Sequence, residues 1–128
     1  MKLLLDTVTF LWVILGSREL SEPARELVTD PANDVFLSAV SGWEIAVKHS
    51  LGRLPLPEAP EKFVPAQREL HGVRPLALEE EAALYVVRLP KLHADPFDRM
   101  LVCQAIVHGL AILTPDTLIS QYPVRVLF

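Results

Sequence analysis

Two short apolar runs restrict what this chain can fold into: Leu3–Leu5 in "KLLLD" and Leu110–Leu113 in "GLAILTPD". Neither alternates polar with apolar residues, as a strand with one wet face would, and both are too short for a buried helix. They read as strands covered on both faces, which is the situation inside a parallel sheet flanked by helices. Comparable runs of strand length occur at Lys2–Leu5, Val35–Leu37, Val73–Leu76, Leu110–Leu113 and Val124–Leu127. Segments with helical spacing lie between them, so the expectation is an α/β domain: a three-layer α/β/α sandwich with a mainly parallel sheet of about five strands.

The helical segments carry their own punctuation. Ser21 precedes "EPARELV" as an N-cap with Pro23 in the first turn, and "SGWEIAVKHSLG" stops at Gly52. "APEKFVPAQRELHG" is expected to bend or break near Pro65. "LEEEAALYVVRL" opens on acids that suit a helix start. "DPFDRMLVCQAIVHG" begins with Asp95 as cap and Pro96 in the first helical position, and ends at Gly109; a short helical turn is expected after Pro115. The proline-rich "LPLPEAP" reads as a loop, and no repeat or long linker divides residues 1–128, so one domain is expected.

Composition narrows the function classes. With 51% hydrophobic and 22% charged residues and no long charge run, the chain can build a core and is not a disordered segment. A formal net charge of −4 argues against general coating of nucleic acid, which rests on many Lys and Arg contacts to phosphate, but leaves room for an enzyme acting on nucleic acid at one site. The single cysteine, Cys103, lies in an apolar helical segment and reads as a buried small residue in a reducing cytoplasm. "MKLLLDTVTFLWVILGS" resembles a signal peptide only superficially. Asp6 interrupts it and "FLWVILG" is too short to cross a bilayer, so no membrane association is expected.

Four acids recur at comparable places: Asp6 after the first strand, Glu44 after the second, Asp98 opening the long helix and Asp116 after "LAIL". Each has a local explanation. Ser41 and Glu44 match a capping box, Asp98 sits in a first turn behind Asp95, and "TPD" repeats that arrangement with Thr114. Local capping does not explain why acids from four regions converge. In an open parallel sheet every strand C-terminus lies along one edge, where ligands bind. Carboxylates gathered there repel one another unless a cation intervenes. Carboxylate and water oxygens suit Mg²⁺ or Mn²⁺, whereas zinc would favour the His or Cys clusters absent here.

The segments "LLLDT…FLW", "LSAVSGWEIAVK", "HADPFDRMLVCQA" and "LTPD" resemble, in order and spacing, those of PIN-domain ribonucleases, and most nearly the VapC-type toxins of bacterial and archaeal toxin–antitoxin systems. The resemblance covers nearly the whole chain. It implies a PIN-like fold, an acidic site of Asp6, Glu44, Asp98 and Asp116 that is both catalytic and metal-binding, Mg²⁺ with Mn²⁺ as substitute, and hydrolysis of RNA to 5′-phosphate and 3′-hydroxyl ends. It also implies a homodimer and a cognate antitoxin that covers the site. Val8 stands where many such sequences carry a histidine.

Around the acids, Thr7, Asp95 and Thr114 are candidates for a supporting hydrogen-bonded layer. Lys48, four residues after Glu44, Arg53 and Arg99 are candidates for RNA phosphate or for ion pairs with neighbouring acids. His93 reads as a hydrogen-bonding loop residue, and Trp12 and Trp43 as core or subunit-interface aromatics. A receiver-type signalling domain lacks support: "LLLDTV" offers one acid and no lysine follows "LAILTPD" suitably. Two competing functions stay open on the sequence: a catalytically silent PIN-like module binding RNA or protein, and a structural protein whose acids only cap helices.

Overall fold

Leu3–Leu5 forms the heart of the central strand of a five-stranded sheet. The computed structural model describes residues 1–128. Its strands are β1 (Lys2–Leu5), β2 (Asp34–Ser38), β3 (Arg74–Leu76), β4 (Ala111–Leu113) and β5 (Val126–Leu127), ordered β3-β2-β1-β4-β5 with every neighbouring pair parallel. Helices α1 (Thr7–Leu15), α2 (Glu22–Thr29), α3 (Ala39–Ser50), α4 (Pro60–Leu70), α5 (Glu80–Leu84) and α6 (Pro96–His108) connect them, with 3₁₀ turns at Tyr85–Arg88 and Ile119–Gln121.

The absence of alternation in β1 has a direct cause. Leu3 and Leu5 join a core with Phe10, Ala24 and Ile45, while Leu4 points the other way into a second core with Leu101, Val102 and Ala105 of α6. All three leucines are fully buried, each worth about 1.5–3 kcal/mol of burial.

Several local expectations shift. α3 begins at Ala39 with its cap at Ser38, three residues before the expected cap Ser41, because Ser38 turns out of β2 and accepts the Val40 N–H itself. Ser41 is therefore inside the helix and Glu44 does not close a capping box. α4 runs unbroken through Pro65. The helix expected over Leu78–Leu89 tightens into a 3₁₀ turn after Leu84. After Pro115 the chain makes turns and becomes helical only at Ile119. Asp95, Pro96 and Gly109 occupy their expected cap positions, and Cys103 is buried. No helix is long and apolar enough to cross a membrane.

The topology fixes where a ligand site belongs. From β1 the chain moves outward to β2 and β3, then crosses back to β4 and β5 on the other side. The order reverses between β1 and β4, and the crevice beyond the strand C-termini at that point is the usual ligand position in such sheets.

Candidate acidic site

Leu5 is in register with both Leu37 and Leu113, so Asp6, Ser38 and Thr114 leave the sheet side by side at its C-terminal edge. Asp6 is 4% exposed and caps α1: its Oδ1 accepts the Thr9 N–H at 2.9 Å, and its Oδ2 accepts the Thr114 hydroxyl at 2.5 Å. Thr114 in turn accepts the Asp116 N–H at 3.1 Å, and Asp116 accepts the Leu118 N–H at 2.8 Å. The strand end thus holds two acids through one threonine. Thr114 caps a turn here, not a helix.

Glu44 comes from the second turn of α3 and is also buried. Thr7 donates its hydroxyl to Oε1 at 2.7 Å, and Lys48 donates to Oε2 at 2.5 Å. Asp98 lies in the first turn of α6. Asp95 caps that helix through the Phe97 and Asp98 N–H groups, and His93 Nε2 stands 3.5 Å from Asp98 Oδ2.

Electrostatics tie the acids together across the fold. Burial pushes the Asp98 carboxyl up to about 6; the charges of Asp95, Asp116 and Asp6 push the same way, against the His93 contact. Asp6 is also raised, by burial first, with Asp116 adding repulsion and the bonds from Thr114 and Thr9 opposing. The Lys48 ammonium is held above its ordinary value chiefly by its bond to Glu44, helped by the charges of Asp95 and Asp98. Groups from α1, α3, α6 and the β4 turn therefore share one field, in which acids outnumber cations.

No three carboxylates, imidazoles or thiols stand close enough to hold an ion between them. The acids share an edge without forming a chelating triad, because each is tied by a local partner: Asp6 by Thr114, Glu44 by Thr7 and Lys48, and Asp116 by its turn. An all-protein cage for Ca²⁺ or Zn²⁺ does not fit this geometry. A smaller hard cation that keeps several waters and takes one or two carboxylates does fit the oxygen donors present. None of the four principal cavities is lined by Asp6, Glu44, Asp98 or Asp116; one of about 550 Å³, lined in part by Arg25, Asp34 and Arg74, includes the start of β2.

The remaining candidates divide. Thr7 and Thr114 support carboxylates, and Asp95 is a helix cap. Lys48 is paired with Glu44. Arg99 pairs with no acid; it donates to the Pro90 carbonyl at 2.9 Å and to Tyr122 Oη at 3.2 Å, since its side chain runs back along the preceding loop. Arg53 is exposed and enters no side-chain hydrogen bond or ion pair. Trp43 is 60% exposed and meets Phe97 edge-on at 4.9 Å, so it is not a core residue. Two supports had no sequence signal: Tyr122, whose partners lie 23 and 29 residues away, and the buried pair Ser38–Gln104 at 2.5 Å, which joins the start of α3 to α6.

The family model described as PIN domain matches residues 3–124. The chain is 42% identical over 55 residues to ribonuclease VapC16 of Mycobacterium tuberculosis (strain ATCC 25618 / H37Rv), a match spanning 43% of this chain and 39% of that protein. Among solved structures, VapBC2 from Rickettsia felis bound to a promoter DNA fragment aligns with a TM-score of 0.71 at 13% identity, over 99% of this chain and 98% of the other. DNA-bound VapBC from Salmonella typhimurium aligns with a TM-score of 0.69 at 18% identity, over 99% and 97%. VapBC-1 from nontypeable Haemophilus influenzae gives 0.65 at 18%, over 99% and 97%. At such identities the structural matches speak for the fold.

Proposed function

The chain belongs to the PIN domain family, and on that premise we propose that it is a divalent-metal-dependent endoribonuclease acting as the toxin of a toxin–antitoxin pair. The observation that carries this reading is that Asp6, Asp98 and Asp116 lie near enough at the switch-point edge of the sheet for their charges to act on one another, with Glu44 tied to Thr7 of the same region. Helix capping does not account for it: Glu44 caps nothing, and Asp98 sits behind a cap already supplied by Asp95.

Asp6 and Asp98, with Asp116 and Glu44 beside them, would hold Mg²⁺, with Mn²⁺ as substitute. Such an ion, when bound, lowers the pKa of a coordinated water and neutralises charge on a phosphodiester. The chain's own residues prepare that chemistry. Thr114 and the Thr9 N–H fix both oxygens of Asp6, so its orientation is set before any ligand arrives. Thr7 does the same for one oxygen of Glu44. Lys48 occupies the other and supplies a local cation for a phosphate approaching an otherwise acidic edge. No Ser or Cys nucleophile is required.

Net acidity leaves little general affinity for RNA, so recognition rests on shape or on single-stranded loops. The partners in this reading are a second copy of the chain, for which Leu84 and Val87 offer exposed apolar contacts, and an antitoxin whose basic side chain enters the acidic edge. Fold likeness to a toxin–antitoxin complex from Klebsiella pneumoniae supports the antitoxin partner. The site of action is the cytoplasm.

The test is cleavage of a structured RNA pool by antitoxin-free protein with Mg²⁺, with Mn²⁺ and with chelator. Metal-dependent cutting that leaves 5′-phosphate ends supports the proposal. Metal-independent cutting overturns the metal dependence, and divalent binding without any cutting across a broad pool of RNAs favours the silent binding module instead.

A further inference from the structure

Three side chains outside the carboxylate set form a linked series whose last member, His93, reaches Asp98. His93 Nδ1 lies 2.7 Å from Tyr122 Oη, His93 Nε2 lies 3.5 Å from Asp98 Oδ2, and Arg99 Nη1 lies 3.2 Å from the same Tyr122 Oη. Tyr122 is 3% exposed and its ring sits 5.4 Å from the imidazole. The contact joins the loop before α6, the first turn of α6 and the chain after the last 3₁₀ turn.

Counting protons gives the network a direction. A guanidinium has only donors, so Arg99 donates to the Tyr122 oxygen. The phenol keeps one proton, and His93 Nδ1 is its only acceptor in reach. Nδ1 must then be the bare nitrogen. In the neutral ring the proton sits on Nε2, facing Asp98. The opposite tautomer would strand the phenol proton and turn a lone pair toward a carboxylate. We propose that Arg99, Tyr122 and His93 form a one-way hydrogen-bond chain ending on Asp98, and that His93 and Tyr122 are positioning residues that aim this carboxylate at the ligand site.

The chain runs from a fixed cation to an anion, so each bond polarises the next in the same sense. Arg99 is itself anchored by the Pro90 carbonyl, which holds the loop carrying His93. The last contact is long and steers Asp98 by charge and direction more than by bond strength. It matters because Asp95, Asp116 and Asp6 all repel Asp98, and the cation drawn to it, Lys48, is already bonded to Glu44. Without His93, nothing on that side opposes rotation of the carboxylate away from the edge. The proposal about aim rests on the metal-site reading above; the proton order does not.

The experiment has two arms. Long-range ¹H–¹⁵N NMR of the metal-free protein at pH 7, with His93 assigned by comparison with His93→Gln, reads the tautomer directly. Nε2-protonated His93 is expected; an Nδ1-protonated ring overturns the chain. Calorimetric titration with Mn²⁺ then compares variants. Tyr122→Phe and His93→Asn should each weaken binding on the order of tenfold. His93→Gln, which returns an N–H donor near the Nε2 position, should recover most of the loss. Equal Mn²⁺ affinity in all variants overturns the positioning role. If the wild-type protein binds no Mn²⁺ while the tautomer is as expected, the metal reading fails and the hydrogen-bond chain stands.

Discussion

Replacing Asp98 with asparagine should stabilise the metal-free protein at neutral pH and leave it unchanged in acid. The carboxyl rises from its ordinary 3.8 to about 6 because burial and three neighbouring acids disfavour its charge. At 1.36 kcal/mol per pH unit, that shift caps the cost of ionising Asp98 in the folded state at about 3 kcal/mol. The side chain is 19% exposed, and solvent screening together with the lost first-turn charge brings the recoverable part to about 1–1.5 kcal/mol. The sign follows from proton uptake. Below pH 4 both folded and unfolded forms are mostly protonated and the penalty is small. Between about 4 and 6 the unfolded chain has lost its proton while the folded chain keeps it, so stability falls as pH rises. Above 6 the whole penalty is present. Thermal melts of wild type and Asp98→Asn in chelator should therefore coincide near pH 4 and separate by about 4–6 °C at pH 7.5 in favour of the mutant. Saturating Mn²⁺ should reverse that order, because only the wild type gains from binding. A mutant advantage equal at both pH values, or none at either, would refute the electrostatic account of this edge.

Other substitutions probe separate contacts. Lys48→Met removes the cation that competes for Glu44 Oε2, so Mn²⁺ affinity without RNA should rise several-fold by calorimetry while RNA affinity falls in a filter-binding assay. Gln104→Leu breaks the buried Ser38–Gln104–Ala77 link and leaves the Ala77 carbonyl without that partner. Urea unfolding should show a loss of about 1–3 kcal/mol with an unchanged m-value. Leu4→Ala opens a cavity between β1 and α6, and should cost about 2–5 kcal/mol in the same assay.

What the sequence revealed tracks how local each signal is. The strands were legible because Leu3–Leu5 and Leu110–Leu113 lack alternation, which only a sheet covered on both faces explains. The caps at Ser21 and Asp95 and the stop at Gly109 were legible because a cap is a contact between near neighbours. The start of α3 was misplaced because "LSAVSGW" contains two serines, and the one that caps, Ser38, is also held by Gln104, 66 residues beyond it. The grouping of the four acids followed from strand order, but their separation did not. Thr7, Thr114 and Lys48 each tether a carboxylate, and the lengths of those tethers are set by packing. Arg99 was expected to pair with an acid or to reach RNA phosphate, and it reaches Tyr122, because the loop from Pro90 to His93 folds back over the start of α6. Tyr122 carried no motif at all.

The central claim is that Asp6 and at least one of Glu44, Asp98 and Asp116 hold one divalent cation at this edge. Anomalous diffraction from crystals grown with Mn²⁺, of wild type and of Asp6→Asn, tests it most directly. A strong peak is expected at the C-terminal edge of β1 and β4, within bonding distance of Asp6 and at least one of the other three acids, and absent from the mutant. A peak bound elsewhere, or no peak in wild-type crystals at saturating Mn²⁺, would contradict it.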